Sequence, residues 1–111
     1  VRDNPAPLHL VDFIEEIGKW SDSVFGVGKR SKGIVDHIHK ELDEISANPH
    51  DLFEWVDVMI LAFDGARREG YSPEAICNVL VRKHKINAAR KWGPNTGEEK
   101  AIEHIRDEGA G

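Results

Sequence analysis

Residues 51–70, DLFEWVDVMILAFDGARREG, are apolar around most of a helical circumference and acidic along one narrow stripe. At about 100° per residue, Leu52, Phe53, Trp55, Val56, Val58, Met59, Ile60, Ala62 and Phe63 cover nearly the whole wheel. What remains is a line of Glu54, Asp57, Asp64 and Arg68, with Leu61 among them. A helix apolar nearly all round is a buried helix. Asp51 suits its N-cap and Gly70 its stop, which sets a helix over 51–69. Few helices of one short chain can surround such an element, so the pattern predicts a homo-oligomer, dimer or tetramer. The acidic stripe is then turned into the structure or a cleft rather than to bulk water.

The preceding segment complements it. Ile34, Val35, Ile38, Leu42 and Ile45 share one face of a helix over about 32–47, ended by Asn48-Pro49. Glu41 and Glu44 lie beside that apolar line, one turn apart, and His37 precedes Glu41 by four residues on the same side. The pairs Glu41-x-x-Glu44 and Glu54-x-x-Asp57 therefore each present two carboxylates on one helical face. Two unit charges roughly 4 Å apart repel by about 4 kcal/mol at an effective dielectric near 20. Converging carboxylates must either protonate or be neutralised by cations. Hard oxygen ligands without cysteine favour Mg²⁺, with Mn²⁺ as a substitute. One such motif alone is ordinarily a solvated face, whereas two on consecutive helices, one inside an apolar helix, point to a site.

Further out, Leu10, Phe13, Ile14, Ile17 and Trp20 predict a first helix over about 9–20, after an extended Asn4-Pro5-Ala6-Pro7 lead-in. Residues 21–33, SDSVFGVGKRSKG, read as a loop carrying Lys29, Arg30 and Lys32. It lacks the P-loop pattern GxxxxGKS/T. Ser72-Pro73-Glu74 starts a fourth helix that reaches Trp92, with Ile76, Val79 and Leu80 inward and the same line continuing onto Lys83, Asn87 and Arg90. Gly93-Pro94 breaks it, and Thr96-Gly97-Glu98-Glu99 has capping-box spacing before a tail helix over about 97–106. No alternating strand pattern stands out, so the expected class is an all-α bundle of four to five helices.

With 111 residues, a single domain over 1–111 is expected. Hydrophobic residues at 40% and charged residues at 32% suit a folded globular chain. The lone Cys77 offers no internal disulfide. No apolar run approaches the roughly 18 residues of a membrane span, so a cytoplasmic protein is expected. A net charge of −5 argues against nucleic-acid polymers as partners. A small polyanion remains acceptable, provided divalent cations stand between it and the carboxylates.

The chain resembles the MazG-like all-α nucleoside triphosphate pyrophosphohydrolases, in which E-x-x-E is followed by E-x-x-D on the next helix. Similarity is strongest to the phage and bacterial dATP/dGTP branch, through FGVGKRSKGIVDHIHKELDEI, DLFEWVDVMILAFDGARREG, the Lys83, Asn87, Arg90, Trp92 pattern and AIEHIR. Ile86 and Gly93-Pro94 depart from that branch, which carries lysine before the asparagine and proline directly after the tryptophan. The resemblance implies that Glu41, Glu44, Glu54 and Asp57 hold two or more Mg²⁺ ions. It further implies attack of a water at the α-phosphorus to release a monophosphate and pyrophosphate. Glu41 is the candidate proton acceptor, and Lys29, Arg30, Lys32, Lys83, Asn87 and Arg90 are the candidate substrate contacts. Trp20 or Phe25 is placed to stack on a base or simply to pack. Three alternatives stay open: a broader house-cleaning pyrophosphohydrolase, a non-catalytic helical oligomerisation module, and a di-iron carboxylate bundle. The last lacks the required E-x-x-H pairs.

Overall fold

The structure, a computed structural model, describes residues 8–94 and 101–105. Four helices account for most of them: α1 (Leu10–Phe25), α2 (Ser31–Ala47), α3 (Leu52–Arg68) and α4 (Pro73–Ala89). The chain divides into two compact units, Val1–Cys77 and Asn78–Gly111, each described by itself.

In the first unit α3 packs against both α2 and α1. The α2–α3 turn is short and well braced. Asp51 caps α3 by accepting a hydrogen bond from the Phe53 amide at 3.0 Å, and Trp55 Nε1 donates to the Pro49 carbonyl at 3.0 Å. Close approach of the two helices uses Gly65, where a Cβ would stand 3.4 Å from Ile34 Cγ2. Among the described residues the buried apolar side chains are isoleucines, Ile14, Ile17, Ile34 and Ile45. Around them lie four buried polar residues, Ser21, Glu41, Asp64 and Arg68.

Helix α1 outruns its expected end at Trp20 by more than a turn. Its inward line is Ile14, Ile17, Gly18 and Ser21, so the helical period continues through a serine rather than an apolar residue. The expected loop 21–33 thereby shrinks to the segment between Phe25 and Ser31. Gly26, at φ +87°, stops α1, and its amide donates to the Asp22 carbonyl.

Helix α4 starts as expected, with Ser72 Oγ accepting from the Ala75 amide at 3.1 Å and Pro73 in the first position. It ends at Ala89 instead of Trp92. Lys91–Trp92 form a two-residue strand, β1, that pairs antiparallel with β2 (His104–Ile105). The Trp92 indole donates to the Asn87 carbonyl at 2.8 Å and meets the His104 ring edge-on at 5.6 Å. The expected tail helix over 97–106 is therefore corrected. Residues 101–103 are not helical, 104–105 are a strand, and the Thr96–Glu99 capping box lies outside the described residues. Local spacing favoured a helix there, and cross-strand pairing overrides it.

Along the α3 stripe Asp64 and Arg68 are buried, Glu54 and Leu61 half-buried and Asp57 exposed, and the apolar ring is uncovered within one chain: Leu52, Phe53 and Met59 are exposed. Val79 and Leu80 on α4, expected to face inward, are exposed too. The described helices include none long and apolar enough to cross a membrane.

Candidate metal and nucleotide site

The turn at 48–51 folds α3 back along α2, so the end of α2 that carries Glu41 and Glu44 faces the first turn of α3, which carries Glu54. One carboxylate oxygen from each of these three residues lies within 4.8 Å of the others. Glu41 is buried and Glu54 half-buried. Two oxygens in the group, Glu41 Oε2 and Glu54 Oε2, are buried and accept no hydrogen bond. Unsatisfied buried acceptors are unusual enough to require a cause. Hydrogen bonding with Glu44 and Glu41, then burial, then their charges push the Glu54 carboxyl up to about 8. Such a group is stable only if it carries a proton or shares a cation. Three carboxylates, two of them with an orphaned oxygen, form a hard, all-oxygen donor set, the kind that suits Mg²⁺ or Mn²⁺. His37 Nε2 stands 3.4 Å from Glu41 Oε1 and braces it from the preceding turn.

Asp57 is not one of the three clustered carboxylates. It lines, with Glu41 and His37, an adjoining cavity of about 380 Å³. That volume falls in the range of small-molecule sites. Ile34, Ile60 and Leu61 give the lining its aliphatic part, and Trp20, Phe25, Arg30 and Asp64 line it too. Trp20 and Phe25 meet edge-to-face with centroids 5.7 Å apart, and the Arg30 guanidinium lies 4.8 Å over the Phe25 ring. Carboxylates, a guanidinium, aromatic rings and aliphatic side chains thus line one cavity, a mixture of chemistries that a small polar ligand with an apolar part can use.

Of the three basic residues expected to serve phosphates, only Arg30 reaches this cavity. Lys29 pairs with Glu69 at 3.7 Å, and Lys32 lines a separate shallow groove with Val35, Asp36 and His39. The second unit holds the other three candidates, Lys83 and Asn87 on the last turns of α4 and Arg90 just past its end. There Arg90 Nη1 donates to Asn87 Oδ1 at 3.4 Å, and Lys83 is exposed.

At Asp64, which also lines the cavity, begins a network that the sequence marked only through Asp64 and Arg68 on the α3 stripe. Asp64 Oδ2 accepts from Ser21 Oγ at 2.6 Å and Arg68 Nε at 3.0 Å, while Oδ1 accepts from Arg67 Nη2 at 2.8 Å. Arg67 also grips Asp22 on α1 through both terminal nitrogens, at 3.3 and 2.9 Å. Burial would raise the Asp64 carboxyl, but hydrogen bonds from Ser21, Arg67 and Arg68 together hold it below its ordinary value. Ser21, Asp22 and Arg67 were invisible as partners because residues 21–22 read as loop.

The fold is similar to that of a cyanophage S-2L MazG-like pyrophosphohydrolase, solved with dGDP and three catalytic Mn²⁺ ions per active site. The two chains share 28% identity with a TM-score of 0.71, over 90% of this chain and 100% of that one. Fold and site together thus place the protein in the class of MazG-like all-α nucleotide pyrophosphohydrolases. The Eaa protein of Salmonella phage P22 is 39% identical over 95 residues, 84% of this chain, and the chain spans only 29% of that relative's length. Within the class, the chain belongs to the dATP/dGTP pyrophosphohydrolase family, whose model matches residues 13–110.

Proposed function

We propose that this chain hydrolyses purine deoxynucleoside triphosphates, dATP or dGTP, to the monophosphate and pyrophosphate with Mg²⁺, Mn²⁺ serving as a substitute. The observation that carries this reading is the gathering of Glu41, Glu44 and Glu54 within 4.8 Å, two of their oxygens unsatisfied, beside a nucleotide-sized cavity. Family membership and the dGDP and Mn²⁺ of the cyanophage relative support it.

In this reading Glu41, Glu44, Glu54 and Asp57 hold two or more divalent cations. When bound, such ions neutralise phosphate charge and make a water nucleophilic near neutral pH. The chain's own part is positional and protonic. Glu41, buried and braced by His37, accepts the proton of the attacking water at Oε1 or Oε2. Arg30 contacts phosphate oxygens from the cavity wall, and Lys29 and Lys32 supply positive charge from the same segment. Trp20 and Phe25 present flat apolar surface to a base. Lys83, Asn87 and Arg90 are assigned as substrate contacts on their sequence pattern alone. The uncovered apolar faces of α3 and α4 are closed by further copies of the chain, in a homodimer or homotetramer.

The test is pyrophosphate release from the eight common nucleoside and deoxynucleoside triphosphates with Mg²⁺ or Mn²⁺. Release from dATP or dGTP well above the others is expected. Inertness toward all of them would leave the oligomerisation module as the better reading, and even release from every base would favour the house-cleaning one. Sedimentation of a stable monomer at micromolar concentration would remove the oligomer.

A further inference from the structure

We propose that Arg68 is a positioning residue for the segment Gly26–Arg30, fixing its backbone so that Arg30 faces the nucleotide cavity. The proposal rests on the reading that substrate phosphates meet Arg30.

The Arg68 side chain is 1% exposed, and its donors are spent in three directions. Nε reaches Asp64 and Nη2 reaches Ser21 Oγ at 2.8 Å, while Nη1 donates to both the Gly26 and the Gly28 carbonyl at 2.8 Å. Burying a guanidinium costs several kcal/mol unless its partners are well placed. Attachment of α1 to α3 does not require this arginine, because Arg67 already bridges Asp22 and Asp64. What Arg68 adds is the grip on two carbonyls of the connecting segment.

That segment has little else to hold it. Val27 is 87% exposed, and a Cβ on Gly26 or Gly28 would meet nothing within 4 Å. Both glycines have positive φ, +87° and +111°, the conformation that turns their carbonyls toward one donor. The residue that caps the end of α3 completes the hold, since Glu69 accepts from Ser31 Oγ and pairs with Lys29. Arg30 follows Gly28 by two residues and stands at the cavity wall over Phe25. A lysine at 68 keeps the charge but cannot span Asp64, Ser21 and two carbonyls, because its ammonium is a compact point donor rather than a planar fork.

The experiment compares R68K, G28A, R67K and R30Q, with R68K also made in the R30Q background, using the 111-residue chain with Mn²⁺. Steady-state KM and kcat, Mn²⁺ affinity, and hydrogen exchange at the amides of residues 26–31 are measured. R68K and G28A should each raise KM about tenfold, the scale of one lost charge-assisted hydrogen bond. Both should speed exchange in the segment and leave Mn²⁺ affinity unchanged. R67K should lower the melting temperature without raising KM. In the R30Q background, R68K should add nothing further to KM, because the two residues act in series. Additive KM effects, or an equal KM rise in R67K, would reduce Arg68 to a structural tie and overturn the proposal. Wild-type exchange in R68K overturns it as well. If the unmodified chain turns over no nucleotide, the proposed function fails, and the exchange comparison alone still decides whether Arg68 holds the segment.

Discussion

Helix α3 carries two sets of charges on its inner stripe, and they differ in who satisfies them. Toward its start, Glu54 meets Glu41 and Glu44 with no lysine or arginine of the described residues paired to them, and two buried oxygens accept nothing. Toward its end, Asp64 meets Ser21, Arg67 and Arg68, and both of its oxygens are engaged. The first set raises a carboxyl to about 8 and the second lowers one. The same carboxylate group, about three turns apart on one helix, is thus left needing a ligand in one place and completed by the protein in the other. A structural charge comes with its partners, whereas a functional one is left open for something that binds.

Neutralising one carboxylate at each end should split activity from stability. Glu54→Gln is expected to reduce pyrophosphate release by on the order of 10²-fold or more, the scale of losing one electrostatic stabiliser of a transition state. It should also raise the melting temperature of the metal-free protein, because a repelling group is removed. Asp64→Asn should do the reverse, costing about 3–5 kcal/mol by leaving Arg68 buried without its carboxylate. Its residual activity, measured below the new melting point, should exceed that of Glu54→Gln. Were Glu54→Gln instead to destabilise the metal-free chain, the two ends would not differ in the way described.

The open set was legible in the sequence, and the closed one only half so. Glu41, Glu44 and Glu54 stood out as acids beside apolar lines at helical spacing, a signal contained within each helix, but Asp57 carried the same signal and lies outside the cluster. The burial of Asp64 and Arg68 on the α3 stripe followed from the apolar ring around it. Asp64 and Arg68 lay on that stripe, yet their partners came from α1 and from Gly26 and Gly28, more than 35 residues away in the chain. Ser21 hid the continuation of α1, since a polar residue on the inward line looks like the end of a helix until its buried partner is known. The β1–β2 pair was missed for the same reason: two residues per strand give no period to read, and register comes from a distant segment.

A smaller effect is expected where α1 and α3 touch. A Cβ on Gly18 would stand 2.6 Å from Arg67 Cδ and Nε, in the middle of a side chain held at both ends. Gly18→Ala should therefore cost about 1–3 kcal/mol as an overpacking change. Urea unfolding measures it, and a neutral result would mean that Arg67 is free to shift and that the closed set is looser than its distances indicate.

The finest distinction between the two sets is the sign of their pH dependence in metal-free protein. Glu54 rises in the folded state from its ordinary 4.5 to about 8, so the fold favours its proton. Its contribution is full below the ordinary value and is lost as pH climbs through about 8. Asp64 is lowered in the folded state, so its contribution is present above its ordinary 3.8 and is lost as pH falls through the depressed value. Melting temperatures in chelator should therefore fall on both sides of a mildly acidic maximum, the alkaline limb belonging to the Glu54 cluster and the acid limb to Asp64. Saturating Mn²⁺ should lift the alkaline limb, because an ion that binds only the folded, deprotonated cluster stabilises it in proportion to the logarithm of its concentration. The acid limb should not move, since Asp64 has no open coordination left. An alkaline limb indifferent to Mn²⁺ would mean that the open set is not a cation site, whatever its geometry.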